Sequence, residues 1–356
     1  IGLGLALLIE KSGINVLGVD INTNYVEKLN SKTFFSYEPL YNEYLKNSNN
    51  FKVTTSLEEG INYSNIIFII IQTPNSGGEK FYDHTFLSNL LFNINKLKVS
   101  NKKIIIGCTI MPNYINNIGN YLISDCYNTT LSYKPEFIAQ GNIINDILNP
   151  DIVLIGTNDI ELPNILKELY LKIIKNKPEF CIVSPLEAEI IKISINGYIT
   201  TKISFANMIS DLCDNFKINK NIVLKSISSD SRIGNKYFNS GYSYGGPCFP
   251  RDTKALALLL TQNNINNDIL QATTKYNEFH SNFLTKKLLE DNLNDYVIEN
   301  VCYKENSKIP IIEESPKLII ANKLVLNNKK VFIKDTESII NEVKKTYGNT
   351  FNYITT

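Results

Sequence analysis

The 356-residue sequence carries almost no net charge, +1 at neutral pH. That removes the electrostatic footprint of a nucleic-acid binder and of a polybasic membrane-surface protein. No hydrophobic run is long enough to cross a bilayer; the longest, Ile66–Ile71, is strand-sized. No signal peptide is visible. The six cysteines include no CxxC pair, which argues against a disulfide framework or a zinc site. Free thiols in a reducing, cytoplasmic compartment are expected. The two histidines, His84 and His280, stand in no metal-like grouping, so no metal site is expected and neither is given a role. No repeat at a solenoid period is present.

What remains is an ordinary apolar fraction, 43%, and a length that suggests two or three domains. The first half alternates between strand and helix patterns. Ile14–Val19, Ile66–Ile71, the "KKIIIGCT" stretch and "PDIVLIG" read as buried strands; Asn24–Leu29, Asp83–Leu97 and Glu161–Ile174 read as helices. Such alternation predicts a doubly wound parallel sheet. A boundary falls near Ser184, where "SPLE" is a capping box with Pro at the first helical position. A helix of roughly thirty residues follows, well above the usual mean. After Asp291 the alternation returns, with strands at Tyr296–Tyr303 and Lys330–Ile333 and helices at Ser315–Leu326 and Glu337–Tyr347. The expected domains are therefore 1–183, 184–290 and a short 291–356.

The chain opens "IGLGLALLIEKSG", with Asp20 soon after. If Gly2 were the first glycine of a GxGxxG fingerprint, the third position would be Leu7. If Gly2 is instead the third glycine, Leu3–Lys11 is the helix whose N-terminus faces a pyrophosphate. Gly13 then stops it, and Asp20 ends the following strand, where it can bond ribose hydroxyls. The second reading is preferred, and it puts the first strand and first two glycines outside this sequence.

The stretch "GGPCFPRDTKALALLL" places Cys248 in a Gly/Pro-rich loop just before an apolar helix. The positive end of a helix dipole favours thiolate. On the long helix Lys192 and Asn196 are four apart, with Glu189 nearby, a pattern able to stabilise an oxyanion. Thr109 in "CTIMP" and Glu136 in "KPEF" follow strands, at the sheet edge where such folds bind ligands.

Taken in order, these stretches resemble the UDP-glucose/GDP-mannose dehydrogenase family over nearly the whole chain. The glycine fingerprint with Asp20, "QTP" at Gln72–Pro74, "CTIMP", "KPEFIAQG", "NPDIVLIG", "EAEIIKISING", "SDSRIG", "GGPCFPRD" and "CYKENSKIPIIEESP" carry the resemblance. It implies an NAD-binding Rossmann-like domain, a central helical dimerisation domain and a C-terminal UDP-sugar-binding domain. It implies an NAD-dependent four-electron oxidation of a nucleotide sugar, UDP-glucose before a UDP-N-acetylhexosamine or GDP-mannose. Cys248 would capture the aldehyde as a thiohemiacetal and then carry a thioester. Lys192 and Asn196 would hold oxyanions, while Thr109, Glu136 and Asp252 would position water and protons. Gly2, Asp20, Thr73, Pro74 and Thr109 would contact the cofactor. Glu136, Lys192, Asn196, Arg232 (across a dimer interface), Gly245, Gly246 and Lys304 would contact the sugar nucleotide.

The sequence also departs from the family pattern. Gln140 stands where a second Glu is usual, Arg251 replaces a Lys, and Glu313 replaces an Arg before Glu-Ser-Pro. Gln140 and Glu313 slightly favour the other class of reading, a non-catalytic nucleotide-sugar-binding relative, which the Cys248, Lys192, Asn196 and Asp252 set argues against.

Overall fold

The computed structural model describes residues 1–304 and 309–356, in two compact units, Ile1–Lys192 and Ile193–Thr356. The first unit holds seven described strands: β1 Val16–Val19, β2 Phe51–Thr54, β3 Ile66–Ile69, β4 Lys103–Ile106, β5 Thr130–Tyr133, β6 Ile152–Gly156 and β7 Glu179–Val183. β1 and β2 pair in parallel as a small sheet of their own, while the others form a five-stranded sheet in the order β3-β4-β5-β6-β7. The large sheet is parallel except where β5 meets β6 antiparallel at Tyr133 and Gly156.

β4 shows how the sequence builds this double-sided core. Its side chains alternate, so Ile104 and Ile106 face one layer and Ile105 the other. On the first side the helix Thr85–Lys96 contributes Leu87, Leu91 and Ile94, spaced one turn apart. On the second, the helix Gly2–Lys11 and the helix Leu162–Ile173 contribute Leu5, Leu8, Leu162, Leu166 and Tyr170. Helices on both faces leave the carboxyl edge of the strands to carry loops, and those loops hold Thr73, Thr109 and Glu136.

The expected capping box is formed. The Ser184 amide donates to the Glu187 carboxylate at 2.7 Å, and the Glu187 amide donates back to Ser184 Oγ at 3.4 Å. The resulting helix, Pro185–Asn215, runs 31 residues, and the boundary between the units falls within it.

In the second unit the helix Phe249–Gln262 lies against the continuation of that long helix. Gly197, a helix-weakening residue in the sequence, has a tertiary cause: a Cβ there would sit 2.8 Å from Leu256 Cδ2. The C-terminal part is a three-stranded parallel sheet in the order β10-β9-β8, made by β8 Asp295–Glu299, β9 Lys330–Asp335 and β10 Asn352–Thr355. Its core is Tyr296, Val331 and Ile333 with Leu318, Leu324, Ile339 and Val343 from two helices. The strand expected to reach Tyr303 stops at Glu299. Asn300 turns the chain through the left-handed region (φ 55), and the Val301 amide is then taken by the Asp335 carboxylate at 2.8 Å. No helix among the described residues is long and apolar enough to cross a membrane.

Candidate active site

In the first unit the loops after β3 and β4 are tied together: Thr73 Oγ1 donates to the Thr109 carbonyl at 2.8 Å. The half-buried His84 and the buried Glu189 support the Thr109 loop. His84 Nε2 accepts from the Met111 amide at 3.2 Å, and burial pushes His84 down to about 4, so the ring stays neutral. Glu189, on the long helix, accepts from the amides of Asn113 at 2.5 Å and Ile115 at 3.2 Å. Burial raises its pKa to about 7 against these two bonds.

Glu136 follows β5 and lies in a buried polar cluster that sequence reasoning missed. Lys134 donates to Glu136 Oε1 at 2.5 Å, with both side chains buried, and Tyr170 donates to the same oxygen at 3.1 Å. The Lys134 ammonium also lies 4.1 Å from the centre of the Tyr170 ring. Burial lowers the Lys134 pKa, which the Glu136 carboxylate opposes. The signal available in the sequence was a lysine at the end of an apolar strand, since a buried charge requires a partner. Lys192 donates to the Glu136 carbonyl at 2.8 Å and lies 4.5 Å from the Phe137 ring centre, so this lysine is buried and fixed rather than solvated. Gln140, in the same loop, is half-buried.

A dinucleotide fits the remaining features of this edge. The helix Gly2–Lys11 starts without a side-chain cap and without an acidic residue in its first turn, leaving its N-terminal amides to an anion. Asp20 stands just beyond the carboxyl end of β1, half-buried, with Oδ1 accepting from the Asn22 amide at 2.9 Å.

In the second unit Cys248 is the N-cap of the helix Phe249–Gln262, with Pro250 in its first turn. Of the six cysteines, all among the described residues and none in a disulfide, Cys248 alone is exposed. Burial pushes the thiols of Cys108 and Cys302 up to about 11, which makes them inert by comparison. Asp252, one turn into the cysteine helix, is 1% exposed and accepts from Asn196 Nδ2 at 2.5 Å. Burial raises its pKa to about 8. The contact follows from Gly197: close helix packing brings Asn196 to Asp252 and, one turn further, Thr200 to Thr253 at 2.8 Å.

Arg251 is held below its usual range by burial, opposed by the nearby Cys248 and Glu313; its side chain hydrogen-bonds that of Cys248. Two of the sequence's departures thus face each other beside the thiol. Gly245 and Gly246 are required by the protein itself. A Cβ on Gly245 would fall 2.0 Å from the Glu314 carbonyl, and one on Gly246, at φ 82, would fall 2.3 Å from the Tyr303 ring. Lys304, next in the chain, is exposed. Arg232 is exposed and folded back on Asp230, with Nη2 to Oδ2 at 2.6 Å and Nε to Oδ1 at 3.0 Å.

Comparison with known proteins matches residues 1–174 to the NAD binding domain of the UDP-glucose/GDP-mannose dehydrogenase family, and residues 186–279 to its central domain. The chain is 28% identical to a UDP-glucose 6-dehydrogenase of Rickettsia bellii over 98% of its length and 81% of the relative's. It is 30% identical to the UDP-glucose 6-dehydrogenase of Rickettsia prowazekii, over 95% of this chain and 79% of the other. Its fold matches a UDP-glucose dehydrogenase from the archaeon Pyrobaculum islandicum with a TM-score of 0.91, at 22% identity, over 100% of this chain and 84% of that one. The chain belongs to the UDP-glucose/GDP-mannose dehydrogenase family of NAD-dependent oxidoreductases.

Proposed function

We propose that this protein oxidises the C6 alcohol of UDP-glucose to the carboxylate of UDP-glucuronate, through a thioester on Cys248. The balance is one alcohol, one water and two NAD+ giving one carboxylate, two NADH and three protons. The observation that carries the reading is the exposed Cys248 thiol at a helix N-terminus whose first turn buries Asp252 against Asn196.

NAD, when bound, supplies the hydride acceptor for both oxidations. Gly2, Asp20, Thr73, Pro74 and Thr109 would hold it. The thiolate of Cys248 adds to the aldehyde carbon, and the resulting thiohemiacetal loses the second hydride to become a thioester. Water then breaks the carbon–sulfur bond and returns the thiol. Lys192 and Asn196 stabilise the oxyanions of these steps. Asp252, titrating at about 8, can both take up and give back a proton near neutral pH. Glu136, with its carboxylate already held by Lys134 and Tyr170, orients water, and Thr109 assists it. Gln140 cannot serve as a base, so hydrolysis rests on Glu136 and Asp252. Gly245, Gly246 and Lys304 form part of the sugar-nucleotide side.

The division into a cofactor domain (1–183), a central helical domain (184–290) and a sugar-nucleotide domain (291–356) follows this assignment. A homodimer through the long helix is supported by the exposed stripe Tyr198, Phe205, Met208 and Leu212, apolar side chains at helical spacing. Arg232 would act across that interface. Light scattering on the protein and on Leu212→Glu tests it: a dimer that the variant converts to monomer is expected, and a monomeric parent contradicts it.

Cys248→Ser tests the nucleophile. Acid formation is expected to vanish while UDP-glucose binding by calorimetry stays within about threefold. A loss of binding as large as the loss of turnover contradicts the assignment. Binding of GDP-mannose or a UDP-N-acetylhexosamine in place of UDP-glucose would move the substrate within the family.

A further inference from the structure

The segment leading to Cys248 runs from Ser229 without helix or strand, so its backbone groups need side-chain partners. They find them on the long helix and on the helix Asp268–Glu290. Asn277 accepts from the Tyr244 amide at 2.8 Å and donates to the Tyr244 carbonyl at 2.9 Å. Ser243 Oγ donates to the Asn277 carbonyl at 2.8 Å and meets Ser281 Oγ at 2.6 Å. At the root of the loop stands His280, 1% exposed, a residue the mechanism does not use.

Both of its ring nitrogens face acceptors. Nε2 lies 2.9 Å from the Gly241 carbonyl, which can only accept. Nδ1 lies 2.9 Å from both oxygens of Asp211, and Tyr276 donates to Asp211 Oδ2 at 2.8 Å. Asp211 and Tyr276 are the titratable groups bonded to this cluster. The ring therefore bridges Asp211 on the long helix and the Gly241 carbonyl of the loop.

We propose that His280 is a positioning residue for the cysteine loop: held by Asp211, it pins the Gly241 carbonyl and so fixes the path through Tyr244 to Cys248. The proposal rests on Cys248 being the nucleophile. Asn207 bonds the Gly241 amide and the Tyr242 carbonyl on the same stretch; without the His280 contact the Gly241 carbonyl is released, and the hold on the thiol beside Arg251 loosens.

The test is the rate at which iodoacetamide alkylates Cys248, read by peptide mass spectrometry, in the native protein and in His280→Gln. The flexible Gln side chain does not hold the carboxylate and the carbonyl at the two fixed nitrogen positions of the ring. Alkylation is expected to slow by about fivefold or more as the thiol leaves its place at the helix N-terminus. Turnover is expected to drop ~10-fold in kcat with KM within about twofold. Should His280→Gln fail to fold, Asp211→Asn keeps the shape and changes the group that holds the ring, with the same slowing expected. A folded variant alkylated within about twofold of the native rate overturns the proposal. Alkylation needs no nucleotide sugar, so it decides the role of His280 even if the protein oxidises none.

Discussion

Glu136 and Asp252 are carboxyl groups proposed for the same reaction, and their surroundings differ in kind. Glu136 is buried against an ammonium and a phenol, Lys134 and Tyr170. Asp252 is buried against a neutral amide, Asn196, and burial raises its pKa to about 8. Burial favours the protonated acid, and at Asp252 it is the dominant influence. In the proposed reaction the first carboxyl, held by two donors, orients water, and the second exchanges a proton.

The comparison breaks most sharply at Asp252. Asp252→Asn keeps the Asn196 contact but carries no exchangeable proton of suitable pKa. Acid formation should fall by ~10²–10⁴, measured as NADH production at saturating substrate. Nearly unchanged turnover would remove Asp252 from the proton steps.

Next is Lys134→Met, which leaves Glu136 buried without its cation. Breaking a buried pair from one side costs about 3–5 kcal/mol, read from urea denaturation. Adding Glu136→Gln should recover most of that loss, and the double-variant cycle measures the coupling. Equal losses in single and double variants would show that the pair carries no special energy. Gly197→Ala follows, at about 1–3 kcal/mol, because the added methyl must push Leu256 and with it the cysteine helix.

The smallest effect is the pH profile of stability. Asp252, raised to about 8, and Glu189, raised to about 7, hold protons in the folded state that the unfolded chain has released. Their contribution is complete below the ordinary carboxyl range and is lost as pH rises through about 7 to 8. His84, lowered to about 4, acts oppositely: its contribution is present above about 6.5 and is lost as pH falls toward 4. Thermal unfolding should therefore weaken on both sides of a slightly acidic optimum. Asp252→Asn should flatten the alkaline side, and an unchanged slope would contradict the burial argument.

The contrast between the two carboxyls also marks what could be read in advance. The long helix was legible because Ser184, Pro185 and Glu187 are local signals, and the strand at Ile66 because six apolar residues in a row are one. Cys248 was legible from its glycines, prolines and the helix that follows. Local pattern does not reveal that Gly197 makes room for Leu256, or that Asn196 meets Asp252, because those partners are 59 and 56 positions away in sequence and meet only through packing. Lys134 escaped for a different reason. Its partner is two residues off, but the pairing requires the burial that β5 and Tyr170 create around it. The end of the β8 strand escaped because Asn300 breaks it by backbone conformation, not by a change in hydrophobic pattern.

The central claim is that the thiol of Cys248 carries a complete four-electron oxidation despite Gln140. The most direct measurement is the NADH formed per UDP-glucose consumed, in excess NAD+. The account predicts two, with UDP-glucuronate as the product. A yield of one, or a burst that stops after a single turnover with Cys248 acylated, would contradict it, showing that Glu136 and Asp252 do not suffice to hydrolyse the thioester.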